Sequence, residues 1–355
     1  MKKIGIYTII ANNYGAQLQA YATARYLQQI CKNSKVELVY VPEIPTSHNW
    51  RSVVKSFLPQ EMIRRRRFEQ FQKLSPLTRS YTASEILKSP LQYDLHIVGS
   101  DQVWNVSGGM DNHLHYFLPF QTSSPKIALA ASFGTSEIPI KLKDEVKGYL
   151  SGFSSIAVRE IDGIKILNEL GIYANVILDP TFWMDTEEWE FLAGTTPILK
   201  GDYIVTYGFE VSNKNVQILI NDIRNLYKLP VIAIDGARIF KFDKVFNSCG
   251  PLEFLNIIRY AKLVVTSSFH GTAFSVIFNK DFWVLAHSSK NSRMENLLSE
   301  LEITDRILPF NTFLFKSIIS KAPSINYGKL NRRLSMLRQK SQAYIKNIIL
   351  SKKYD

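Results

Sequence analysis

Short runs rich in valine and isoleucine alternate with stretches of helical periodicity along most of this 355-residue chain. Such alternation is typical of βαβ units, in which parallel strands form a sheet and the connecting helices cover its faces. The runs form two series, at 4–178 and 203–285, and Gly194 and Pro197 interrupt the pattern between them. The sequence therefore predicts an α/β fold of two Rossmann-like, doubly wound domains facing each other across a cleft, and the length suits two domains.

The same pattern predicts where the domains begin and end. We expect an N-terminal domain at 1–184 and a C-terminal domain at 185–326. Residues 51–79, with four consecutive arginines at 64–67, are expected to form a basic insertion in the N-terminal domain. Residues 327–355 have apolar residues at helical spacing with basic residues between them, which predicts a separate basic amphipathic helical segment.

The net charge of +12 is concentrated in these two segments, which carry +6 and +7 while the remaining chain carries −1. Basic charge on amphipathic segments favours docking on an anionic membrane surface over general binding of polyanions. Two solvated helix faces without any partner are the alternative. Nucleic acid is not expected as a partner, because no recognised motif accompanies the charge and no aromatic residues are interleaved as a stacking platform.

Three other features narrow the class of protein. The apolar run at 4–10 stops at Asn12, so we expect a first buried strand, no secretory signal and a cytoplasmic chain. Cys31 and Cys249 lie far apart and outside any CxxC motif, which favours a packing role. His113 and His115 form an H-x-H pair with no third ligand nearby in sequence, so no tightly bound metal is expected.

Ligands of open α/β sheets bind beyond the carboxyl ends of the strands, so the loops that follow each strand are the candidate sites. After the first strand, Asn13 precedes Tyr14 and Gly15. An Asn here can cap a helix, and a glycine lets the backbone approach another group closely. The loop that contains Asn13 and Tyr14 is therefore a candidate site, although a tight turn explains the same residues equally well.

The loop at 99–105, GSDQVWN, is unusually polar for a segment that follows a buried strand. Asp101 and Gln102 are candidates for binding sugar hydroxyls, and Trp104 is a candidate apolar platform for a sugar ring. The alternative is structural: Ser100 or Asp101 caps a helix and Trp104 fills the core.

A single arginine, Arg159, follows the strand that ends at Val158. A buried cation at this position is costly unless a carboxylate or an anionic ligand pairs with it. Glu160 and Asp162 are the carboxylates nearest in sequence, so either is a candidate partner.

The most specific local feature is TSSFHGTAF at 266–274. Ser268 is a good helix cap, His270 lies at the turn, and Gly271 and Thr272 begin the helix. Backbone N–H groups and the positive helix end would form an anion site there. The helix end would lower the pKa of His270 and a bound phosphate would raise it, so its charge depends on the ligand. A satisfied structural histidine is the alternative.

Seven segments in a fixed order carry a family resemblance: NYGAQLQAYA at 13–22, YDLHIVGSDQVWN at 93–105, KIALAASFG at 126–134, SSIAVRE at 154–160, ILDPTF at 177–182, TSSFHGTAFSVIF at 266–278 and NSRMENLL at 291–298. In these segments the chain resembles the polysaccharide pyruvyl transferases, which move the enolpyruvyl unit of phosphoenolpyruvate onto a sugar as a ketal. The resemblance also implies a GT-B-like architecture, with the N-terminal domain on the acceptor side and the C-terminal domain on the donor side.

In that family, an Arg matching Arg159 and a His matching His270 hold and activate phosphoenolpyruvate. Some members have an Arg where this chain has Ser268, and we hypothesise that Arg293 supplies the missing cation. The resemblance then implies His270 as acid or base, Arg159 and Arg293 as the anion clamp, and Asp101 as base or hydroxyl anchor. The predicted donor-binding residues are Arg159, Arg293, Ser268, Gly271 and Thr272, and the predicted acceptor-binding residues are Asn13, Tyr14, Ser100, Gln102 and Trp104.

The resemblance implies phosphoenolpyruvate as a co-substrate, no cofactor, and a polyprenyl-diphosphate-linked glycan acceptor at the inner face of the cell membrane. Two other functions stay open at this point. A GT-B glycosyltransferase with a nucleotide-sugar donor would share the fold and the helix-end anion site. A non-enzymatic, basic peripheral membrane scaffold would use the two charged segments but leave His270, Arg159 and the 99–105 loop without a role.

Overall fold

The computed structural model describes residues 1–42, 58–210, 213, 215–236, 239–286 and 292–350. The strands are β1 (Lys2–Tyr7), β2 (Ser34–Tyr40), β3 (Leu77–Ser80), β4 (Leu95–Val98), β5 (Lys126–Ala131), β6 (Ser155–Val158), β7 (Asn175–Val176), β8 (Ile204–Tyr207), β9 (Val231–Ile234), β10 (Lys244–Phe246), β11 (Leu263–Thr266), β12 (Asp281–Leu285) and β13 (Ile307–Leu308). The helices are α1 (Tyr14–Ile30), α2 (Pro59–Gln72), α3 (Ala83–Lys88), α4 (Lys143–Leu150), α5 (Ile161–Glu169), α6 (Thr186–Ala193), α7 (Val216–Tyr227), α8 (Pro251–Tyr260), α9 (Phe269–Ile277), α10 (Ser292–Glu300), α11 (Phe315–Lys321) and α12 (Tyr327–Leu350). Short 3₁₀ helices lie at Leu114–Phe117, Ile140–Leu142, Pro180–Phe182 and Thr304–Arg306.

These elements form two compact units. The first comprises residues 1–42, 72–184 and 334–350, and the second comprises 58–71 and the described residues of 185–333. The chain thus passes from the first unit to the second between Met184 and Asp185.

The first unit is built on a parallel sheet with strand order β3-β2-β1-β4-β5-β6-β7. Side chains of β1 bury on both faces: Ile4 and Ile6 join one core cluster and Tyr7 joins the other. Burial on both faces explains the continuous apolar runs of the sequence. The strand order reverses between β1 and β4, and the crevice at such a switch point is where doubly wound sheets bind ligands.

The second unit repeats this plan with strand order β10-β9-β8-β11-β12-β13, again with parallel pairing throughout. Its core lies between the sheet and the helices, with Val265 of β11, Ile204 of β8 and Ile220 of α7 all fully buried. The switch point of this sheet lies between β8 and β11. Both sheets therefore have the predicted doubly wound topology, and the predicted α/β fold class is confirmed.

The C-terminal helix differs from the separate amphipathic segment that the sequence predicted. The apolar stripe of α12 is buried in the protein, with Leu334 at 5 % and Ile345 at 0 % exposure. Polar contacts fix it to the first unit: Ser341 Oγ accepts a bond from Leu178 N at 3.0 Å, and Arg338 Nε donates to Phe182 O at 2.7 Å. The stripe is part of the core, so it does not supply an apolar face for a membrane.

The arginine-rich segment also differs from its prediction, since residues 58–71 group with the second unit and not with the N-terminal domain. The reason is a set of contacts far apart in sequence. Arg64 pairs with Asp235 at 3.3 Å, and Arg67 pairs with Glu253 at 3.0 Å. Residues 51–57 of the predicted insertion lie outside the described residues.

None of the described helices is both long enough and apolar enough to cross a bilayer. Cys31 and Cys249 are both buried, and neither forms a disulfide.

Candidate functional site

The loops after β1 and β4 meet at the switch point of the first sheet. Thr8, the first residue after β1, donates its hydroxyl to Ser100 O at 2.8 Å. Gln19 of α1 donates to Thr8 Oγ1 at 2.9 Å, and the side chain of Asn13 accepts a bond from Ala16 N at the start of the same helix. The helix cap and the polar loop predicted from the sequence thus belong to one edge of the sheet.

A buried arginine organises this edge. Arg159 Nη1 donates to Asp179 Oδ2 at 2.8 Å and to Ser100 Oγ at 3.3 Å, and Nη2 donates to Asp101 Oδ1 at 3.2 Å. Its Nε lies 3.6 Å from Glu160 Oε2, and the arginine side chain is 0 % exposed. Burial by itself lowers the pKa of Arg159, but the charges of Asp179, Asp101 and Glu160 outweigh it, and the net shift is upward.

Asp179 is the residue of this cluster that sequence reasoning missed. Its Oδ1 accepts bonds from the backbone and the hydroxyl of Thr181, at 3.0 and 2.8 Å, and its Oδ2 accepts from Ser100 Oγ at 3.0 Å as well as from Arg159. These bonds occupy the carboxylate inside the protein. The available signal was the Asp-Pro pair at a strand end, which indicates only that the strand ends.

The partner predicted for Arg159 was Glu160 or Asp162. Glu160 does contact Arg159, at the distance of 3.6 Å between Nε and Oε2. Its Oε1 also accepts a hydrogen bond from Phe133 N at 3.2 Å. Asp162 does not take part, since its carboxylate pairs with Lys165 at 2.9 Å. Asp162 was therefore the wrong candidate, because it lies in the first turn of α5 and its carboxylate is used by Lys165 of the same helix.

Asp101 differs from the other carboxylates because it is partly exposed, with 16 % of its side chain accessible. Its φ of 70° lies in the left-handed region, where aspartate and asparagine are tolerated better than most residues. Both of its hydrogen bonds, from Gln102 N at 2.9 Å and from Arg159, go to Oδ1. Among the described residues Oδ2 accepts no hydrogen bond, so this oxygen can accept a proton from a ligand.

Three of the predicted acceptor-binding residues are in the interior. Tyr14 is 1 % exposed, and Ser100 and Trp104 are 0 % exposed. Trp104 donates its indole N–H to Tyr116 O at 3.2 Å and its ring lies 5.4 Å from that of Phe133, between centroids. These residues pack beneath the edge in the interior of the first unit, so in this structure their side chains are not accessible to a sugar.

Gln102 and Asn13 remain at the surface of this edge. Gln102 Oε1 accepts a bond from Asn105 Nδ2 at 2.9 Å. Gly134 makes room for it: with φ of 67°, a Cβ at this position would overlap Gln102 Oε1. Asn13 is exposed beside the helix that it caps. Both amides are placed where an acceptor hydroxyl could bind.

In the second unit, the 266–274 segment forms the end of β11 and the first turns of α9, as predicted. Ser268 caps the helix, its Oγ accepting from Gly271 N at 3.4 Å, and its carbonyl accepts from Thr272 N and Thr272 Oγ1, both at 3.0 Å. The N–H groups of Gly271 and Thr272 thus donate to Ser268 within the helix. The prediction had assigned them to direct contacts with an anion. No acidic residue lies in the first turn, so the positive end of α9 is not neutralised there.

His270 is the second residue of α9 and is 7 % exposed. Its ring meets that of Phe269 edge-on, with centroids 5.2 Å apart. Arg293, the predicted replacement cation, lies in α10 and is half-buried, and residues 287–291 before it lie outside the described residues. Its contact with a donor stays a prediction.

Asn213 is a second residue that sequence reasoning did not single out. It lies in the loop after β8, at the switch point of the second sheet, and is 3 % exposed. Its Oδ1 accepts from Asn215 N at 2.9 Å, whereas its Nδ2 is buried and has no hydrogen-bond partner among the residues that the structure describes. A buried amide donor left unpaired costs about 1–3 kcal/mol, which makes Asn213 a candidate ligand contact.

Gly271 is expected to be intolerant of a side chain. A Cβ there would overlap Thr266 Oγ1, whereas a Cβ at Gly148, in the exposed part of α4, would meet nothing within 4 Å. Gly271→Ala should lower the free energy of unfolding by about 1–3 kcal/mol, because the turn after β11 must shift. Gly148→Ala, the matched control, should leave stability equal or raise it by about 0.5–1 kcal/mol. Urea unfolding measures both, and equal effects would contradict the assignment of Gly271 to this close contact.

The H-x-H pair lies on the first unit, and the described residues contain no group of three or more ligands for a metal. His113 Nδ1 lies 3.2 Å from Val103 O. His115 is 4 % exposed and neither ring nitrogen has a hydrogen-bond partner among the described residues. Burial, with a smaller contribution from His113, lowers the pKa of His115 to about 4.

This depressed pKa predicts a loss of stability in acid. The unfolded chain binds the proton with a pKa of about 6.5, so the contribution of a neutral His115 is complete above that pH and is lost towards pH 4. His115→Leu should remove this loss. The free energy of unfolding should then fall less between pH 6.5 and 4, by up to about 3 kcal/mol. Urea unfolding at several pH values measures it, and parallel curves for both proteins would refute the expectation. Some acid sensitivity should persist, since burial also lowers the pKa of His96 to about 4.

Several solved structures share this fold at low sequence identity. The UDP-GlcNAc 2-epimerase from Neisseria meningitidis bound to UDP-GlcNAc superposes with a TM-score of 0.56 at 10% identity, covering 99% of this chain and 100% of that one. MnaA from S. aureus, solved with UDP, gives 0.55 at 13% identity over 98% and 97% of the two chains. A glycosyltransferase from Rickettsia africae gives 0.52 at 12% identity over 99% of each chain. These likenesses establish a GT-B-like fold.

The comparison with protein families identifies a family as well as a fold. No curated protein matches the sequence. The sequence profile of the polysaccharide pyruvyl transferases matches residues 13–289, which include α1 and the loops after β4, β6 and β11. The match covers well over half of the chain, and the chain therefore belongs to the polysaccharide pyruvyl transferase family.

Proposed function

We propose that this protein transfers the enolpyruvyl group of phosphoenolpyruvate to two hydroxyls of a sugar, forming a pyruvate ketal in the biosynthesis of a surface polysaccharide. The observation that carries the proposal is the family membership, because the matched residues 13–289 include the loop after β4 in the first unit and the loop after β11 in the second. The cluster around Asp101 supplies a group suited to the first step of such a reaction.

The chemistry needs two additions to the same carbon. The oxygen of the first hydroxyl bonds to C2 of phosphoenolpyruvate while C3 takes up a proton and the hydroxyl proton passes to a base. The C2–O bond to phosphate then breaks, through an oxocarbenium-like state, and the second hydroxyl bonds to C2 and loses its proton. One inorganic phosphate leaves, and no electrons are exchanged, so the reaction as written needs no resident cofactor.

We assign the acceptor to the first unit. Asp101 Oδ2 accepts the proton of the attacking hydroxyl, and Gln102 and Asn13 bind neighbouring hydroxyls. The support is geometric: Asp101 is the partly exposed carboxylate of the cluster, and Arg159 fixes its other oxygen at 3.2 Å. Because Oδ1 is held in place, Oδ2 keeps its orientation toward a ligand, and the side chain loses little further conformational entropy when the ligand binds.

We assign the donor to the second unit. His270 protonates C3, and the positive end of α9 together with Arg293 attracts the phosphate and carboxylate of the donor. The missing Arg at Ser268 makes the contribution of Arg293 essential in this proposal. Ser268 and Thr272 act by holding the turn, since their bonds lie within it.

For Arg159 we propose a positioning role in place of the donor contact that the resemblance implies. Its guanidinium is enclosed by Asp179, Asp101 and Glu160, and its side chain has no exposed area. Arg159→Lys distinguishes the two roles. Positioning of Asp101 predicts a lower kcat with little change in KM for phosphoenolpyruvate, whereas a donor contact predicts a raised KM.

The deciding experiment measures phosphate release from phosphoenolpyruvate by the full chain with a panel of galactosides, mannosaminides and glucosides, both lipid-linked and water-soluble. The mass of the product should show one added pyruvate ketal. A nucleotide sugar serves as the competing donor, since a GT-B glycosyltransferase would use it. Turnover of the nucleotide sugar without any phosphate release from phosphoenolpyruvate would overturn the proposal.

We extend the proposal to a polyprenyl-diphosphate-linked acceptor and to action at the inner face of the cell membrane. The support is the excess of basic residues at 51–79. The basic residues of α12 give less support than the sequence suggested, because several of them bind other parts of the protein, as Lys329 pairs with Glu302 at 2.7 Å and Arg333 donates to Glu300 O at 2.9 Å.

A further inference from the structure

Helix α2 has an inner face that is fully used within the second unit. Phe68 and Phe71 are 0 % exposed. Arg64 and Arg67 form the ion pairs with Asp235 and Glu253 described above, and Arg67 also donates to Ser248 O at 2.9 Å. Half of the four-arginine run thus fixes the helix to the protein.

The opposite face of α2 combines exposed apolar side chains with exposed cations. Met62 is 57 % exposed, Ile63 46 % and Leu58, just before the helix, 47 %. Arg65 and Arg66 are exposed, and neither has an ion-pair partner in the part of the chain that the structure describes. We call these five residues the α2 outer face.

The spacing places most of these residues together. Leu58, Met62 and Arg65 or Arg66 follow one another at intervals of three or four residues, which brings them onto one side of the helix. The exposed acid of this side is Glu69, and Lys73 lies just beyond the end of α2, so the face keeps a positive charge. Exposed apolar groups among cations are the combination that binds an anionic lipid surface, in which side chains enter the acyl boundary and guanidinium groups meet lipid phosphates.

We propose that the α2 outer face docks this protein on an anionic phospholipid bilayer. The proposal rests on the proposed function in one respect, since a lipid-linked acceptor gives the docking its purpose. It assigns the docking to one helix, because the apolar stripe of α12 lies in the core and is not available to lipid.

The test is flotation of the full chain with vesicles of phosphatidylcholine alone or of phosphatidylcholine with phosphatidylglycerol. The unchanged protein should float with the phosphatidylglycerol vesicles only. Arg65→Gln with Arg66→Gln should weaken binding roughly 30-fold, taking about fivefold for each cation near the surface. Met62→Ser with Ile63→Ser should weaken it at every salt concentration. Arg332→Gln with Lys340→Gln, which changes two exposed cations of α12, is the matched control and should leave binding unchanged.

Several outcomes would overturn the docking proposal. These are flotation of the α2 variants at the unchanged level, an equal loss in the α12 control, or no flotation of the unchanged protein. A dimer in solution that dissociates on Met62→Ser with Ile63→Ser would assign the face to a second copy of the chain instead. Phosphate release with a water-soluble acceptor is measured in parallel: it should stay unchanged in the α2 variants, and its absence in every protein would count against the proposed function alone. Thermal unfolding checks that the variants remain folded.

Discussion

Arg159→Ala is expected to lower the free energy of unfolding by about 3–5 kcal/mol, because it leaves buried carboxylates without their cation. Asp179 and Glu160 have side chains that are 0 % and 1 % exposed, so water cannot replace the guanidinium at either. Ser100 loses a donor at the same time. Equilibrium unfolding in urea measures the effect, with near-ultraviolet circular dichroism to show whether the first unit keeps its packing.

A surface pair provides the matched control for this change. Arg79 lies 3.4 Å from Glu85, and the two side chains are 65% and 47% exposed. Arg79→Ala should cost less than about 1 kcal/mol, because water screens both charges and hydrates whichever remains. If Arg159→Ala were no more destabilising than Arg79→Ala, the cluster would not hold the sheet edge together.

The fold was predictable from the sequence because its signal is local. Strands buried on both faces require continuous apolar runs, and each run stops where the chain turns into a helix, so β1, β4, β8 and β11 were visible without any tertiary information. The positions of α2 and α12 were not predictable. Their partners, such as Asp235 for Arg64 and Phe182 for Arg338, are over a hundred residues away, and no local pattern records them.

The site could be predicted to the level of the loop but not of the side chain. The polar density of the 99–105 loop correctly marked the sheet edge, yet Ser100 and Trp104 turned out to be buried while Asp101 and Gln102 are not. The direction of each side chain depends on the left-handed backbone at Asp101 and on the hydrogen bonds of Arg159. The partner of Arg159, Asp179, comes from another strand end. Alternation along a loop does not encode either influence.

Asp101→Asn is expected to lower kcat for phosphate release about 10²–10⁴-fold, the usual contribution of a positioned general base. Asparagine has the shape of aspartate and tolerates the left-handed φ of 70°, so the backbone should stay in place. Arg159 keeps its contacts with Asp179 and Glu160, so the loss of stability should be much smaller than for Arg159→Ala.

The control for Asp101→Asn is Asp111→Asn, in an exposed position of the segment that follows, where the same chemical change should leave kcat unaffected. Steady-state phosphate release at saturating phosphoenolpyruvate separates the two variants. A fall in kcat with an unchanged KM for the donor is the result expected if Asp101 takes the acceptor proton, because the donor is bound by other residues. Full activity in Asp101→Asn would show that the general base is not Asp101 and lies outside this cluster. The buried carboxylate of Asp179 could not replace Asp101, since Arg159, Ser100 and Thr181 already occupy its oxygens.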